Sequence, residues 1–382
     1  MRHRALIFFL LLPSCCFALP AKPVGAPDLT AKSYLLYDYT SKQVLLGHNS
    51  DAHMEPASLT KLMTAYLAFD ALKHDTLSLT QEITVPAVAA RSHAGESLML
   101  LNVGQSVTVA ELLQGLIVQS GNDAALTLAL NIAGSEAGFV DMMNKQAKEL
   151  GMNNTHFTNP VGVADAQHYS SAADLALLAA AVVRDFPQYY KLFALREYTF
   201  NNVTQANRNR LLWLDPYVDG IKTGHTNSAG FCLIGSAKRD EHRLISVVLG
   251  TNSDNLRISE SQQLLNYGFK YFDALRLYQK DQAVAKLRIW KGADSQIEIG
   301  FRQDIFLSIP KGQIAQLKAT METYQPLIAP VGTGQQMGVL KLTLGGQPYA
   351  EFPMVALQGV PLANVFSRGW DSIRLLFLKF TN

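Results

Sequence analysis

A chain of 382 residues can hold two or more domains, and 48% hydrophobic against 17% charged residues is a globular composition that excludes intrinsic disorder. A net charge of +2 gives no electrostatic case for nucleic acid as a partner. None of the nine histidines stands in His-x-His or His-Glu-x-x-His spacing, so no metal site and no metallopeptidase is implied, and the sequence calls for no cofactor.

Residues 1–21 read as a secretory signal peptide: Arg2, His3 and Arg4, the apolar run Ala5 to Leu12, then small residues, with cleavage after Ala18 or Ala21. Cys15 and Cys16 allow a lipoprotein alternative, which Pro13 just before Ser14-Cys15 fits poorly. Without the leader only Cys232 remains, so stability has to come from the core and not from a disulfide.

Ser33 to Tyr39 and Gln43 to Leu46, parted by Thr40-Ser41-Lys42, predict a β-hairpin. Pro56-Ala57-Ser58-Leu59-Thr60-Lys61 follows, and Leu62, Met63, Tyr66 and Phe69 continue it as an amphipathic helix to about Lys73. Ser58 would sit in the first turn, with Lys61 projecting from the same face. A hydroxyl with an amine one turn away can serve as nucleophile and base. By itself the pattern is weak, and Ser308-Ile-Pro-Lys311 is a chance match.

Gln81 to Val109 reads as irregular with short strands. Thr108 to Gln119 and Asp123 to Ala133 read as helices interrupted at Ser120-Gly121-Asn122. A further helix runs from a cap at Ser135 to a stop at Gly151, a loop covers Asn153 to Tyr169, and Ser171 with Asp174 caps a helix to Arg184. Gly220 to Gly224, Gly230 to Ser236 and Arg243 to Gly250 are strand candidates, closed by a helix over Ser253 to Asp273. Helices between an early hairpin and late strands imply one antiparallel sheet built from both ends, with helices packed on it. Short strands at 283–290, 304–309, 316–320, 338–344 and 352–357 predict a separate all-β domain, and Ala363 to Phe380 is helical again. The predicted organisation is 1–21 leader, 28–274 catalytic body, 278–361 all-β domain and 363–382 terminal helix. Val365, Phe366, Trp370, Ile373, Leu376, Phe377 and Phe380 share one face of that helix. Arg368, Asp371, Ser372, Arg374 and Lys379 share the other. It either packs on the β-domain or lies in a membrane interface.

Singly, Ser120-Gly121-Asn122 is turn chemistry and Lys222-Thr223-Gly224 an exposed strand lysine whose glycine lets a ligand backbone approach. Together, Ser-x-x-Lys, Ser-x-Asn and Lys-Thr-Gly in that order resemble the penicillin-binding and serine β-lactamase superfamily. More closely, the chain resembles the low-molecular-mass penicillin-binding proteins that are D-alanyl-D-alanine carboxypeptidases. The likeness extends to Asn207-Arg208-Asn209, Asp219 to Thr226 and Leu264 to Phe269. It implies an α/β (α+β) DD-peptidase-like fold: an antiparallel sheet flanked by helices, a small all-β C-terminal domain and an amphipathic terminal helix.

The resemblance implies that Ser58 attacks the carbonyl between two D-alanines, with Lys61 taking its proton after burial or a nearby cation, Lys222 foremost, has lowered its pKa. Ser120 would relay a proton to the leaving D-alanine, and Asn122 would hold the substrate amide. N–H groups of Ser58 and His225 would form the oxyanion hole, which for His225 makes the position matter more than the imidazole. Lys222, Thr223 and Arg257 would bind the terminal carboxylate beside Gly224, with Arg208 near the site. Cys232 reads as a small core residue. The partners implied are peptidoglycan pentapeptide stems and β-lactam antibiotics, at the periplasmic face of the inner membrane. A β-lactamase would need a glutamate after the second motif, and none occurs between Glu149 and Glu197. A catalytically idle envelope scaffold and a DD-endopeptidase are the remaining alternatives.

Overall fold

The computed structural model describes residues 25–91 and 96–381; the expected leader lies outside them. The predicted hairpin forms as β1 (Ser33–Asp38) and β2 (Gln43–His48), and the Ser58 segment as a 3₁₀ turn (Ala57–Thr60) running into α1 (Lys61–Lys73). The expected irregular stretch carries β3 (Glu82–Thr84) and β4 (Ser106–Thr108). Then come α2 (Val109–Gln114), a π turn (Gly115–Gln119), α3 (Asn122–Ala133), α4 (Glu136–Glu149) and α5 (Ala172–Asp185). Sequence reasoning passed over the next elements: α6 (Pro187–Tyr190), the hairpin β5 (Glu197–Phe200) and β6 (Val203–Ala206), and α7 (Leu211–Leu214). They are too short to show a period. The body closes with β7 (Val218–Thr226), β8 (Gly230–Arg239), β9 (His242–Thr251) and α8 (Asp254–Tyr271).

The early and late strands join in one antiparallel sheet of order β2-β1-β9-β8-β7, as the sequence implied. Its strands bury both faces. Leu35, Cys232, Ile234, Ile245 and Val247 point into the large core shared with α1 to α5, while Leu36, Leu233, Leu244 and Val248 meet Leu264 and Leu265 of α8. Burial on both sides accounts for the near-continuous apolar runs. One expectation fails: α1 is not amphipathic. Every residue from Lys61 to Phe69 is buried, because the helix runs through the middle of the helical layer rather than along its surface.

The all-β domain follows α8 without a linker. It comprises β10 (Phe272–Tyr278), β11 (Ala283–Trp290), β12 (Gln296–Gly300), β13 (Ile305–Pro310), β14 (Leu317–Thr323), β15 (Leu327–Ile328), β16 (Gln336–Leu344) and β17 (Gln347–Ala356). β10 pairs with β13, and the rest form a sheet of order β14-β16-β17-β12-β11-β15 over its own core. The chance motif ties this domain to the body. Ser308 Oγ donates to the buried carboxylate of Asp38, its N–H donates to Gln43 Oε1 at 2.7 Å, and Lys311 Nζ donates to the Phe269 carbonyl at 3.0 Å. The chain ends in α9 (Val365–Thr381).

Candidate active site

Ser58 lies in the 3₁₀ turn and Lys61 heads α1, and a 3₁₀ turn eclipses side chains three residues apart. Lys61 Nζ accordingly reaches Ser58 Oγ at 3.0 Å. Its second acceptor is the Val161 carbonyl at 2.7 Å, from the loop 153–169. That loop grips the turn at further points. Thr64 Oγ1 donates to the Pro160 carbonyl at 2.7 Å, and His168 Nε2 stands 2.7 Å from Thr60 Oγ1. Asn159 Oδ1 collects the N–H groups of Val161, Gly162 and Val163 at 3.2, 2.7 and 3.1 Å, shaping the bend. Gly162 has φ +87° and lies so close to Ala57 that a Cβ would fall 1.9 Å from its carbonyl oxygen.

Ser120 occupies the break between the π turn and α3 with φ +66°. Its Oγ is buried and has no hydrogen-bond partner among the described residues, which is unusual for a hydroxyl with nothing to do in the fold. Two residues on, the Asn122 N–H donates to the Ser97 carbonyl at 2.8 Å. Asp123 accepts from the Met99 and Leu101 N–H groups at 2.9 and 3.0 Å, fastening residues 97–101 along the start of α3. Arg208 Nε donates to the Gln119 carbonyl at 3.1 Å, beside Ser120.

Lys222, Thr223 and Gly224 lie on β7, the sheet edge that faces the Ser58 turn. A Cβ on Gly224 would stand 2.9 Å from the Pro56 carbonyl oxygen and 3.2 Å from the Leu59 nitrogen. The expectation that Gly224 makes room for a ligand is therefore corrected: the space it leaves is taken by the protein's own nucleophile turn. Arg257, from α8, donates to the Gly224 carbonyl at 2.9 Å and pairs with Asp254. The exposed His225 ring packs on Phe231, centroids 4.0 Å apart.

Charge in the cleft is governed by burial. Lys61, 1% exposed, has its pKa lowered to about 7, first by desolvation and then by Arg208, against the raising pull of Glu96 and Asp123. Of the two causes the sequence left open, burial is the larger, and the cation that adds to it is Arg208 rather than Lys222. Lys222 is pushed well below the ordinary lysine range by burial, then by Lys61, Arg208 and Arg257. The arrangement offers an amine able to shed its proton near neutral pH on a serine hydroxyl, a second hydroxyl without a partner among the described residues, and the guanidinium groups of Arg208 and Arg257. That suits acyl transfer to a substrate bearing a carboxylate.

A family model described as D-alanyl-D-alanine carboxypeptidase matches residues 21–253, and one described as the penicillin-binding protein 5 C-terminal domain matches residues 272–362. The chain belongs to the D-alanyl-D-alanine carboxypeptidase family. It is 39% identical over 375 residues to D-alanyl-D-alanine carboxypeptidase DacC of Escherichia coli, covering 97% of this chain and 93% of that protein. Penicillin-binding protein 5 from Haemophilus influenzae superposes with a TM-score of 0.86 at 38% identity, over 89% of this chain and all of that one. Penicillin-binding protein D2 from Listeria monocytogenes, solved in an ampicillin-bound form, gives 0.58 at 31% identity over 64% of this chain and 98% of that one.

In this carboxypeptidase-family chain the three motifs were legible, but their supports were not. Asn159, Val161, Gly162 and His168 fell in a stretch read simply as loop, although its Asn-Pro and Gly residues mark a fixed turn. Asp123 was visible only as part of a motif, although an acid in a first helical turn is itself a signal. Glu96 carries no sequence signal, because only the fold brings its charge to bear on Lys61.

Proposed function

We propose that this protein is a serine-type D-alanyl-D-alanine carboxypeptidase that removes the terminal D-alanine of peptidoglycan pentapeptide stems, and that penicillin acylates the same serine. The observation that carries the reading is the 3.0 Å contact between Ser58 Oγ and a buried Lys61 amine whose pKa has fallen to about 7. Ser58 Oγ attacks the carbonyl between the two D-alanines while its proton passes to Lys61 Nζ. Backbone N–H groups of Ser58 and His225 stabilise the oxyanion, each worth roughly 3–4 kcal/mol. As the peptide C–N bond breaks, Ser120 relays a proton to the departing amine. Water then hydrolyses the ester with Lys61 as base and frees Ser58. Lys222, Thr223 and Arg257 take the terminal carboxylate, Asn122 takes the substrate amide, and Arg208 adds positive field at the rim.

Incubation with benzylpenicillin should add the drug's mass to the peptide holding Ser58 and leave Ser58→Ala unlabelled. Label on Ser120 or Ser308, or none at all, would end this reading. Two rivals fare worse, and a third is separated by experiment. A β-lactamase would need a glutamate in the loop 150–169, which holds none and instead meets the Ser58 turn through His168 and α1 through the Pro160 carbonyl. An idle scaffold would have no use for a lysine buried against a serine. Endopeptidase action would use the same machinery on crosslinked peptide, and muropeptide mass spectrometry separates the two.

The localisation proposed is the periplasmic face of the inner membrane after removal of the 1–21 leader, with the catalytic body at 28–274, the β-domain at 278–361 as a stalk, and 363–382 as the anchor. The way α9 sits supports the last point. Asp371 accepts the Lys291 N–H at 2.7 Å, so the polar face turns to the β-domain. Phe366 is 91% exposed, and Val365, Trp370, Ile373 and Leu376 are exposed with it. An apolar face turned away from its own domain fits a helix lying in a lipid interface. Among the described residues no helix is long and apolar enough to cross a membrane.

A further inference from the structure

We propose that His168 is a positioning residue for this site: it clamps the loop 158–168 onto the turn that carries Ser58, and so keeps water away from Lys61. The inference rests on the reading of Lys61 as the base.

The ring is buried, Thr158 Oγ1 lies 3.2 Å from Nδ1, and the tautomer follows from the two shorter bonds. The Thr158 N–H donates to Nδ1 at 3.0 Å, so Nδ1 carries no proton. The hydrogen therefore sits on Nε2 and donates to Thr60 Oγ1 at 2.7 Å. One nitrogen holds the loop and the other holds the turn, at the residue next to Lys61 and two from Ser58. Phe157 closes the ring's flank edge-on, with centroids 5.7 Å apart. The same loop brings the Val161 carbonyl to Lys61 Nζ and presses Gly162 onto Ala57. If the clamp opens, the loop can lift and water can reach the amine.

His168 cannot act on Lys61 by charge. Burial lowers its pKa to about 4, against the pull of Asp165 and with a smaller push from His156, so the ring is neutral at working pH. The charges that face Lys61 are Glu96, Arg208 and Asp123, with Lys222 across the cleft. A change in Lys61 titration on replacing His168 therefore reports hydration.

The test measures the second-order rate of acylation by benzylpenicillin against pH, with thermal melts alongside, for the full chain and for His168→Leu, His168→Gln, Thr60→Val and the Leu/Val double variant. His168→Leu and Thr60→Val should each acylate about 10- to 100-fold slower at pH 7. In both, the acid limb should move up by about one pH unit as Lys61 regains water. The double variant should be no slower than the worse single one, since both break one contact. His168→Gln, whose amide N–H can reach Thr60, should stay close to wild type. An acid limb unmoved in Thr60→Val, whatever its melting temperature, overturns the proposal, and that variant decides alone if His168→Leu does not fold. Additive losses in the double variant overturn it too. A wild-type profile flat through pH 7 would instead remove Lys61 as base, and this inference with it.

Discussion

Burial takes water from Lys61 and lowers its pKa, which is what the proposed role as base requires. With a pKa of about 7 in the fold against about 10.4 for an exposed lysine, half its population is neutral near pH 7. Acylation should fall as pH drops through about 7, and Lys61→Ala should cost about 10²–10⁴-fold, read from benzylpenicillin acylation. A Lys61→Ala protein acylating near the wild-type rate would rule lysine out. The same depression has a sign for stability. Between about pH 10 and pH 7 the unfolded chain binds this proton and the folded one does not, so stability declines as pH falls through that window and is level below it. At pH 7 the folded protein therefore carries nearly the full cost. Lys61→Met should be inactive yet melt no lower than wild type at pH 7. A clearly lower melting temperature would mean that the contacts to Ser58 and Val161 outweigh desolvation.

At the scale of elements, the site is three pieces held against one another: the 3₁₀ turn before α1, the break before α3, and the edge strand β7. Glycines set two of the approaches, and they should fail differently. Gly162→Ala combines φ +87° with a Cβ 1.9 Å from the Ala57 oxygen, so the loop must move. About 2 kcal/mol or more of stability should go, together with most acylation. Gly224→Ala meets the Pro56 oxygen at 2.9 Å from a strand conformation, and β7 has only to back away. Its melting temperature should drop less while acylation still falls, about tenfold or more. A Gly162→Ala protein that is both stable and active would refute the packing described for that loop.

For the whole molecule, the question is what each end does. The body and β-domain are tied through Ser308, Asp38, Gln43 and Lys311, and α9 lies beyond that junction with its apolar face outward. Truncation after Leu362 should release active, penicillin-binding enzyme into the soluble fraction. Trp370→Glu should weaken sedimentation with anionic vesicles while leaving acylation unchanged. A truncated protein that stays with the membrane, or unfolds, would mean that α9 is not the anchor.

The sequence by itself determined the order of the longer elements, the two-ended antiparallel sheet, the all-β C-terminal part, and the three motifs with Ser58, Lys61, Ser120 and Lys222. Those are local signals: period, turn residues and fixed short spacings survive without knowing what lies across the chain. The tertiary structure alone decided that α1 is buried all round, since its neighbours come from α3, α4 and α5. It alone showed what the chance match Ser308-x-x-Lys311 does beside Ser58-x-x-Lys61. One pair is a buried amine on a hydroxyl; the other fastens two domains. It also decided that Gly224 serves the chain's own turn, and that the carbonyl of Val161, 100 positions along the chain, accepts from the Lys61 amine. Burial and charge depend on what surrounds a side chain, and contacts between distant segments leave no periodic trace in the sequence.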